Sequence, residues 1–333
     1  REMMDEKDLW PINKEVWDYS DGNGFHLMST MYTDMTNEYG SSKGIDEFAE
    51  KAQFVGAFNY KSIWEVWNYN KLNYGDRYTS GFLYWYHNSP IRQVCGRMWD
   101  WSLEPTAALY AAQNACEPLH PQFDYIKNTV SVVNDYYQAF KNYRITAEVF
   151  DLNMKKIFSK DAFVDMPEDG VVNNIFKIVF PENTTSIQFI KLRLFDNKNK
   201  QVGSNFYWRS NNKYEGRKTL TGPTTAGFQE MNKLAKTKIA IKYKTSSVDG
   251  KHYIDLDLKN TGKALSFFTQ IQWLDKESKP VRPSFYTNNF MSLLPGEKVQ
   301  IRIETDMRNL AGKEYKLVIR GFNIEKQEFK INL

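Results

Sequence analysis

The feature that most constrains this chain is a change of pattern near Pro118. Before it, apolar residues recur at helical spacing around one continuous apolar run. After it, short alternating segments separated by turn residues continue to the end. One core does not serve both patterns, and 333 residues are enough for two or three domains.

In the first part, Ile45, Phe48, Ala49, Ala52, Val55, Gly56, Ile63, Val66 and Trp67 fall at spacings of three and four. This predicts an amphipathic helix of several turns, with Asp46, Glu47, Glu50 and Lys51 on its wet side. The run from Ser80 to Tyr86 is bounded by Gly81 and by His87-Asn88-Ser89-Pro90, and reads as a strand buried on both faces. Pro105 to Ala112 reads as a second helix with Pro in its first turn, stopping before Pro118. Helix, buried strand, loop and helix is the rhythm of a (β/α)8 TIM barrel. One strand cannot close a barrel, so the other strands are expected upstream of Arg1.

From about 120 to 222 the candidate strands are Val130–Asn134, Tyr143–Phe150, Ile175–Phe180, Gln188–Phe195 and Asn205–Trp208. Several alternate with period two, and turns such as Asp196-Asn197-Lys198-Asn199 part them, which predicts an antiparallel immunoglobulin-like sandwich. The polar stretch 213–227 reads as a linker. The pattern then repeats in Ile239–Tyr243, Tyr253–Leu258, Phe267–Trp273, Val299–Ile303 and Tyr315–Ile319, with a turn at Leu294-Pro295-Gly296-Glu297. After Leu119 only a short helix around Phe228–Leu234 is expected. The expected class is therefore mixed α/β and all-β: the C-terminal part of a TIM barrel (1–119), an immunoglobulin-like sandwich (120–222) and a C-terminal immunoglobulin-like sandwich (223–333).

Aromatic residues make up 15% of the chain, with 9 Trp, 20 Tyr and 22 Phe. Aromatic faces stack on sugar rings, and large sandwich and barrel cores also use them heavily. The 44 basic and 40 acidic residues form no Lys/Arg block, so no nucleic-acid footprint is indicated. The longest apolar stretches are strand-length, so no membrane span is expected. Cys95 and Cys116 lie outside any Cys-x-x-Cys pattern and read as free thiols. The four scattered histidines offer no metal-ligand spacing, and no cofactor is implied. The chain starts at Arg1 within a polar, helix-like segment, which reads as a fragment or processed chain.

The stretch from Ser80 to Asn134 resembles glycoside hydrolase family 2, in the branch of exo-β-glucosaminidases, β-mannosidases and plant-type endo-β-mannosidases. The residues that carry this are Tyr84-Trp85, Trp99-Asp100, the small-residue helix from Pro105 to Ala115, Glu117-Pro118-Leu119-His120 and Val132-Val133-Asn134. Leu9–Asn13 through Trp17–Tyr19 resembles the family's loop after the seventh barrel strand. The Leu293–Glu297 turn is similar to one in its terminal domain. The resemblance implies retaining hydrolysis of O-glycosyl bonds by two glutamates, an acid/base and a nucleophile, on the fourth and seventh strands at the C-terminal face of the barrel. Both are expected upstream of Arg1, so this chain supplies no catalytic residue and is expected to be inactive alone. Its partners would be an oligosaccharide or polysaccharide substrate and the upstream part of the same polypeptide. The resemblance also implies a periplasmic or secreted location.

What the resemblance leaves to this chain is substrate binding. Trp85, at the end of the expected eighth strand, stands where the family places an aromatic floor; the other reading is a core Trp in the barrel wall. Asn88 would bond a sugar hydroxyl or serve as a turn residue, and Trp17 and Tyr19 would line the same pocket. Asn37-Glu38 imitates the family's Asn-Glu acid/base, but nothing strand-like precedes it, so it reads as a surface loop. Glu15 and Asp18 lack a second carboxylate at a defined offset. Asp100 reads as an internal hydrogen-bonding residue. One departure stands out: relatives carry another Trp a few residues after the strand-eight Trp, where this chain has Ile91. The competing reading is a non-catalytic carbohydrate-binding sandwich protein. It would expose aromatics such as Trp208 and Trp273, which are expected to be buried.

Overall fold

A computed structural model describes residues 5–13, 15–17, 28–71, 81–84, 97–211, 218–219, 222–223, 227–310 and 314–332. The helices α1 (Glu6–Leu9), α2 (Met28–Tyr39), α3 (Ile45–Tyr69) and α4 (Ala107–Ala115) precede the first strand. α3 opens with Asp46 and Glu47 in its first turn, where the helix dipole favours negative charge. Phe48, Phe54 and Ala57 form its buried face.

α3 departs from the expected amphipathic pattern in two places. Lys51, expected on the wet side, is wholly buried. Its Nζ donates to Gly40 O (3.0 Å) and Ser41 O (2.9 Å) and pairs with Glu47 at 2.8 Å. The long amine thus satisfies carbonyls left open where α2 ends. In the second half of the helix, Ile63, Val66 and Trp67 point outward, at 44%, 59% and 44% exposure, while Lys61 and Glu65 turn inward. No helix of the described residues is long and apolar enough to cross a membrane.

The expected buried strand from Ser80 to Tyr86 is described only at 81–84, and those residues form no strand. Leu83 is 98% exposed, and Phe82 packs edge-on against Trp64 of α3 at 4.5 Å. A parallel strand exists only where neighbours satisfy its N–H and C=O groups; among the described residues none lies alongside.

Most of the molecule is β-sandwich. The first sandwich is built from β1 (Leu119–Asp124), β2 (Thr129–Asn134), β3 (Phe140–Asp151), β4 (Lys156–Met166), β5 (Gly170–Lys177), β6 (Ile187–Phe195) and β7 (Gln201–Ser210). An antiparallel sheet β1-β2-β5 faces the antiparallel sheet β4-β3-β6-β7. Val130, Val132 and Phe176 meet Ile145, Ala147, Val149, Ile190, Leu192 and Leu194 between them. A two-residue ladder, β8 (Lys218–Thr219) with β9 (Gly222–Pro223), follows.

The second sandwich comprises β10 (Ile239–Val248), β11 (Lys251–Asn260), β12 (Ser266–Asp275), β13 (Phe285–Tyr286), β14 (Met291–Leu293), β15 (Lys298–Asp306), β16 (Glu314–Gly321) and β17 (Ile324–Asn332). Its sheets run β10-β11-β15-β13 and β14-β12-β16-β17. The alternation of Ile254, Leu256 and Leu258 against Ile301 and Ile303 fills one side of the core. Ile271, Trp273, Leu317 and Ile319 fill the other. The short helix near Phe228–Leu234 is a 3-10 turn, Gln229–Lys233.

A third cluster joins helices and sandwiches. Phe54 of α3 inserts between Phe267 (5.3 Å), Phe268 (4.6 Å) and Phe322 (5.3 Å) of the second sandwich. Trp208 of the first packs edge-on against Phe267 at 5.4 Å.

Candidate functional site

Of the four residues expected to bind substrate, Trp85, Asn88 and Tyr19 lie outside the described residues. Trp17 is described and buried. Its Nε1 donates to Asp8 O at 3.0 Å, and its ring meets Phe48 edge-on at 5.3 Å. Trp10 packs on the same phenylalanine, at 6.2 Å. Trp10 and Trp17 thereby fasten the segment after α1 to the first turn of α3. Asp100 works inside its own loop, where Oδ1 accepts from Ser102 N, Ser102 Oγ and Glu104 N at 2.7–2.8 Å. Glu38 ends up in α2, on no strand, and its backbone carbonyl accepts from Phe228 N. Cys116 is an exposed free thiol, and Cys95 lies outside the described residues.

The Glu-Pro-x-His and Val-Val-Asn elements acquire definite roles. His120, on β1, is fully buried, with Nε2 2.9 Å from Glu65 Oε1 on α3. The same oxygen accepts from Asn205 Nδ2 (2.8 Å) and Tyr207 OH (2.8 Å) of β7. Lys61, one turn before Glu65, donates to Phe206 O at 2.8 Å and to Asn205 Oδ1, and lies 3.9 Å above the Tyr207 ring. Asn134, closing β2, gives Nδ2 to Gln138 O and Pro167 O and accepts Tyr136 N. Every polar atom of that side chain is used in turning the backbone.

Electrostatics makes the Glu65 group a lock. Burial alone would raise its carboxyl pKa; the Lys61 charge and the His120 and Tyr207 hydrogen bonds overcome this and hold it below the usual carboxylate range. Burial pulls Lys61 down to about 8 despite the Glu65 charge. Tyr207 is pushed far up by burial and by Glu65. An ionised carboxylate gripped by three donors has no proton to deliver to a leaving group. It anchors α3 to two strands of the first sandwich.

Sequence reasoning singled out His120 but missed Lys61, Glu65, Asn205 and Tyr207. The available signal was the pair Lys61/Glu65, four apart and the two charged residues of the helix after Lys51.

Comparison with known proteins follows this architecture closely. Residues 219–324 match a family model described as the exo-β-D-glucosaminidase Ig-fold domain. The exo-β-D-glucosaminidase of Streptomyces avermitilis is 25% identical over 304 residues, covering 88% of this chain and 34% of that protein. The mannosylglycoprotein endo-β-mannosidase of Lilium longiflorum is 22% identical, covering 97% of this chain and 38% of that protein. The homologues of this chain are thus named for exo-β-D-glucosaminidase and mannosylglycoprotein endo-β-mannosidase activity. In fold it is similar to the crystal structure of the Amycolatopsis orientalis exo-chitosanase CsxA, at TM-score 0.87 and 22% identity. That match covers 99% of this chain and 40% of the other. The chain thus spans about a third of the length of the curated relatives it matches.

Proposed function

We propose that this chain is the sandwich-bearing part of a retaining β-glycoside hydrolase of exo-β-glucosaminidase or β-mannosidase type. The observation that carries this reading is coverage: relatives named for those activities align along 88% to 97% of the chain, helices included. On this reading residues 1–119 are the end of a TIM barrel, and 120–222 and 223–333 are separate immunoglobulin-like domains. The two catalytic glutamates belong to the part of the relatives that this chain does not span. Trp85 and Asn88, with Trp17 and Tyr19 beside them, contribute a floor and wall for the sugar. By itself the chain hydrolyses nothing. The enzyme acts on an oligosaccharide or polysaccharide outside the cytoplasm, in the periplasm or after secretion.

The competing sandwich-lectin reading needs an exposed aromatic platform. Trp208 and Trp273 are 6% and 0% exposed, so neither supplies one. The test is a panel of nitrophenyl β-glycosides offered to the longer polypeptide that contains this sequence. Cleavage of the β-glucosaminide or β-mannoside with retained anomeric configuration is expected; failure to cleave any β-glycoside would overturn the assignment.

A further inference from the structure

The second half of α3 is inverted. Lys61, Glu65 and Asn68, at i, i+4 and i+7, share the face turned toward the first sandwich and α4. Each is hydrogen-bonded there: Lys61 to Phe206 O, Glu65 to Asn205 of β7, and Asn68 Nδ2 to Ala115 O at 3.0 Å. Ile63, Val66 and Trp67, three and four apart, lie on the other face and are exposed. A helix that packs on one side only carries the reverse pattern, apolar inside and polar outside.

The apolar face extends beyond the helix. Phe82 lies 4.5 Å from Trp64 and 6.3 Å from Trp67, ring to ring, and stays exposed, as does Leu83 beside it. Exposed apolar residues scattered singly are ordinary, but a contiguous set marks a surface that something covers. No charge on α3 interrupts it. After Lys51 the charged residues of the helix are Lys61 and Glu65, and both are turned inward. A partner must therefore bring apolar side chains rather than ion pairs. The comparisons point to its source. Relatives align along 88% and 97% of this chain, α3 included, within proteins of which the aligned part is 34% and 38%.

We infer that the exposed face of α3, with Phe82 and Leu83, is where the part of the relatives that this chain does not span docks, through an apolar, uncharged face of its own. The inference rests on the proposed reading that the chain belongs to a longer glycosidase, and it concerns assembly rather than cleavage. Within one polypeptide the covering part is tethered, so its effective concentration at this face exceeds that of a second copy. The first half of α3 needs no such cover on its inner side, where Phe54 is already enclosed by the second sandwich.

The test places a thiol on this face. Val66→Cys is labelled with a maleimide in the 333-residue chain and in the longer polypeptide that contains it. Mass spectrometry follows the adduct on the peptide holding residue 66, apart from Cys116. Labelling is expected to be fast in the chain alone at every protein concentration, and about tenfold or more slower in the longer polypeptide. A second readout is the double substitution Ile63→Lys with Val66→Lys. It should leave the Tm of the chain alone within about 2 °C, since lysine suits exposed positions near a helix C-terminus. In the longer polypeptide the same amines are buried without partners, and Tm should fall by about 5 °C or more. The inference is overturned if the thiol reacts equally fast in both proteins, or if the lysine pair leaves the Tm of the longer polypeptide unchanged. Labelling that slows in the chain alone as its concentration rises would also overturn it, by assigning the face to a second copy. A longer polypeptide that protects the thiol but cleaves no β-glycoside sinks the hydrolase assignment and leaves this inference standing.

Discussion

At the scale of single residues, this chain spends its buried charge on joining parts. Glu65 is ionised inside protein because Lys61 stands one helical turn away and three donors converge on one of its oxygens. Glu65→Gln keeps the shape and removes the anion, leaving the Lys61 amine buried without its counter-charge. The expected loss is about 3 kcal/mol, read as a fall in the urea midpoint. A depressed carboxyl pKa contributes stability that is full above the ordinary value of 4.5 and fades as pH drops through the folded one. The gap between parent and variant should therefore be widest at neutral pH and close in acid. Glu50 has the opposite sign. Burial pushes its carboxyl from 4.5 up to about 7, against the pull of Arg320 and Lys236. The cost of ionising it is absent below pH 4.5 and full above 7, so Glu50→Gln should raise stability by roughly 1–2 kcal/mol at pH 8 and leave it unchanged at pH 4. Thermal melts across that range decide it; equal shifts at both ends would contradict the argument.

At the scale of elements, close approach and ring packing set the arrangement. β7 crosses β1 at Gly203, where an added Cβ would lie 2.7 Å from Leu119 O and 3.2 Å from Pro121 Cδ. Gly203→Ala must push β7 away from the strand that holds His120, and is expected to cost about 1–3 kcal/mol in a denaturant titration. Tyr253–Leu258 was legible because one face is buried and period-two alternation follows, and Gln188–Phe195 because a mostly apolar run of strand length is buried on both faces. Lys156–Met166 was not, because it is an edge strand whose outward side carries charge and whose alternation is blurred. Ile63, Val66 and Trp67 have helical spacing yet face outward; periodicity shows that a helix has an apolar stripe, not which neighbour covers it. The Glu65 group was illegible for another reason. Its members lie 55 and 140 residues from one another along the chain, and no local pattern reports such a meeting. The expected floor residues Trp85 and Asn88 rest on resemblance to the family, which local physics neither requires nor replaces.

At the scale of the whole molecule, the question is whether the sandwiches are independent beads or one body. Phe54 sits in a pocket made by the second sandwich, while the same helix is locked to the first through Glu65. A direct bridge adds to this. Lys191 on β6 is 2.7 Å from Glu297, in the turn before β15, and Arg193 joins Glu297 at 3.8 Å and Glu148 at 2.6 Å. Glu297 also fixes its own turn, its Oε2 accepting Leu294 N at 2.8 Å, with Gly296 at φ +78° just before it. Lys191 is almost wholly buried, and burial pulls its pKa down even with that partner. Removing the partner leaves the amine in the junction without its hydrogen-bonded counter-charge, at a cost of about 3 kcal/mol. That cost falls on the contact between sandwiches and not on either core. Glu297→Gln should therefore do more than lower Tm: a single calorimetric transition in the parent should separate into two, one per sandwich, because the units keep their own cores but lose their coupling. A variant that melts lower but still in one transition would place the coupling in the aromatic cluster around Phe54 instead. Phe54→Ala, which empties that cluster at an expected cost of about 3–5 kcal/mol, would then be the change that divides the melt.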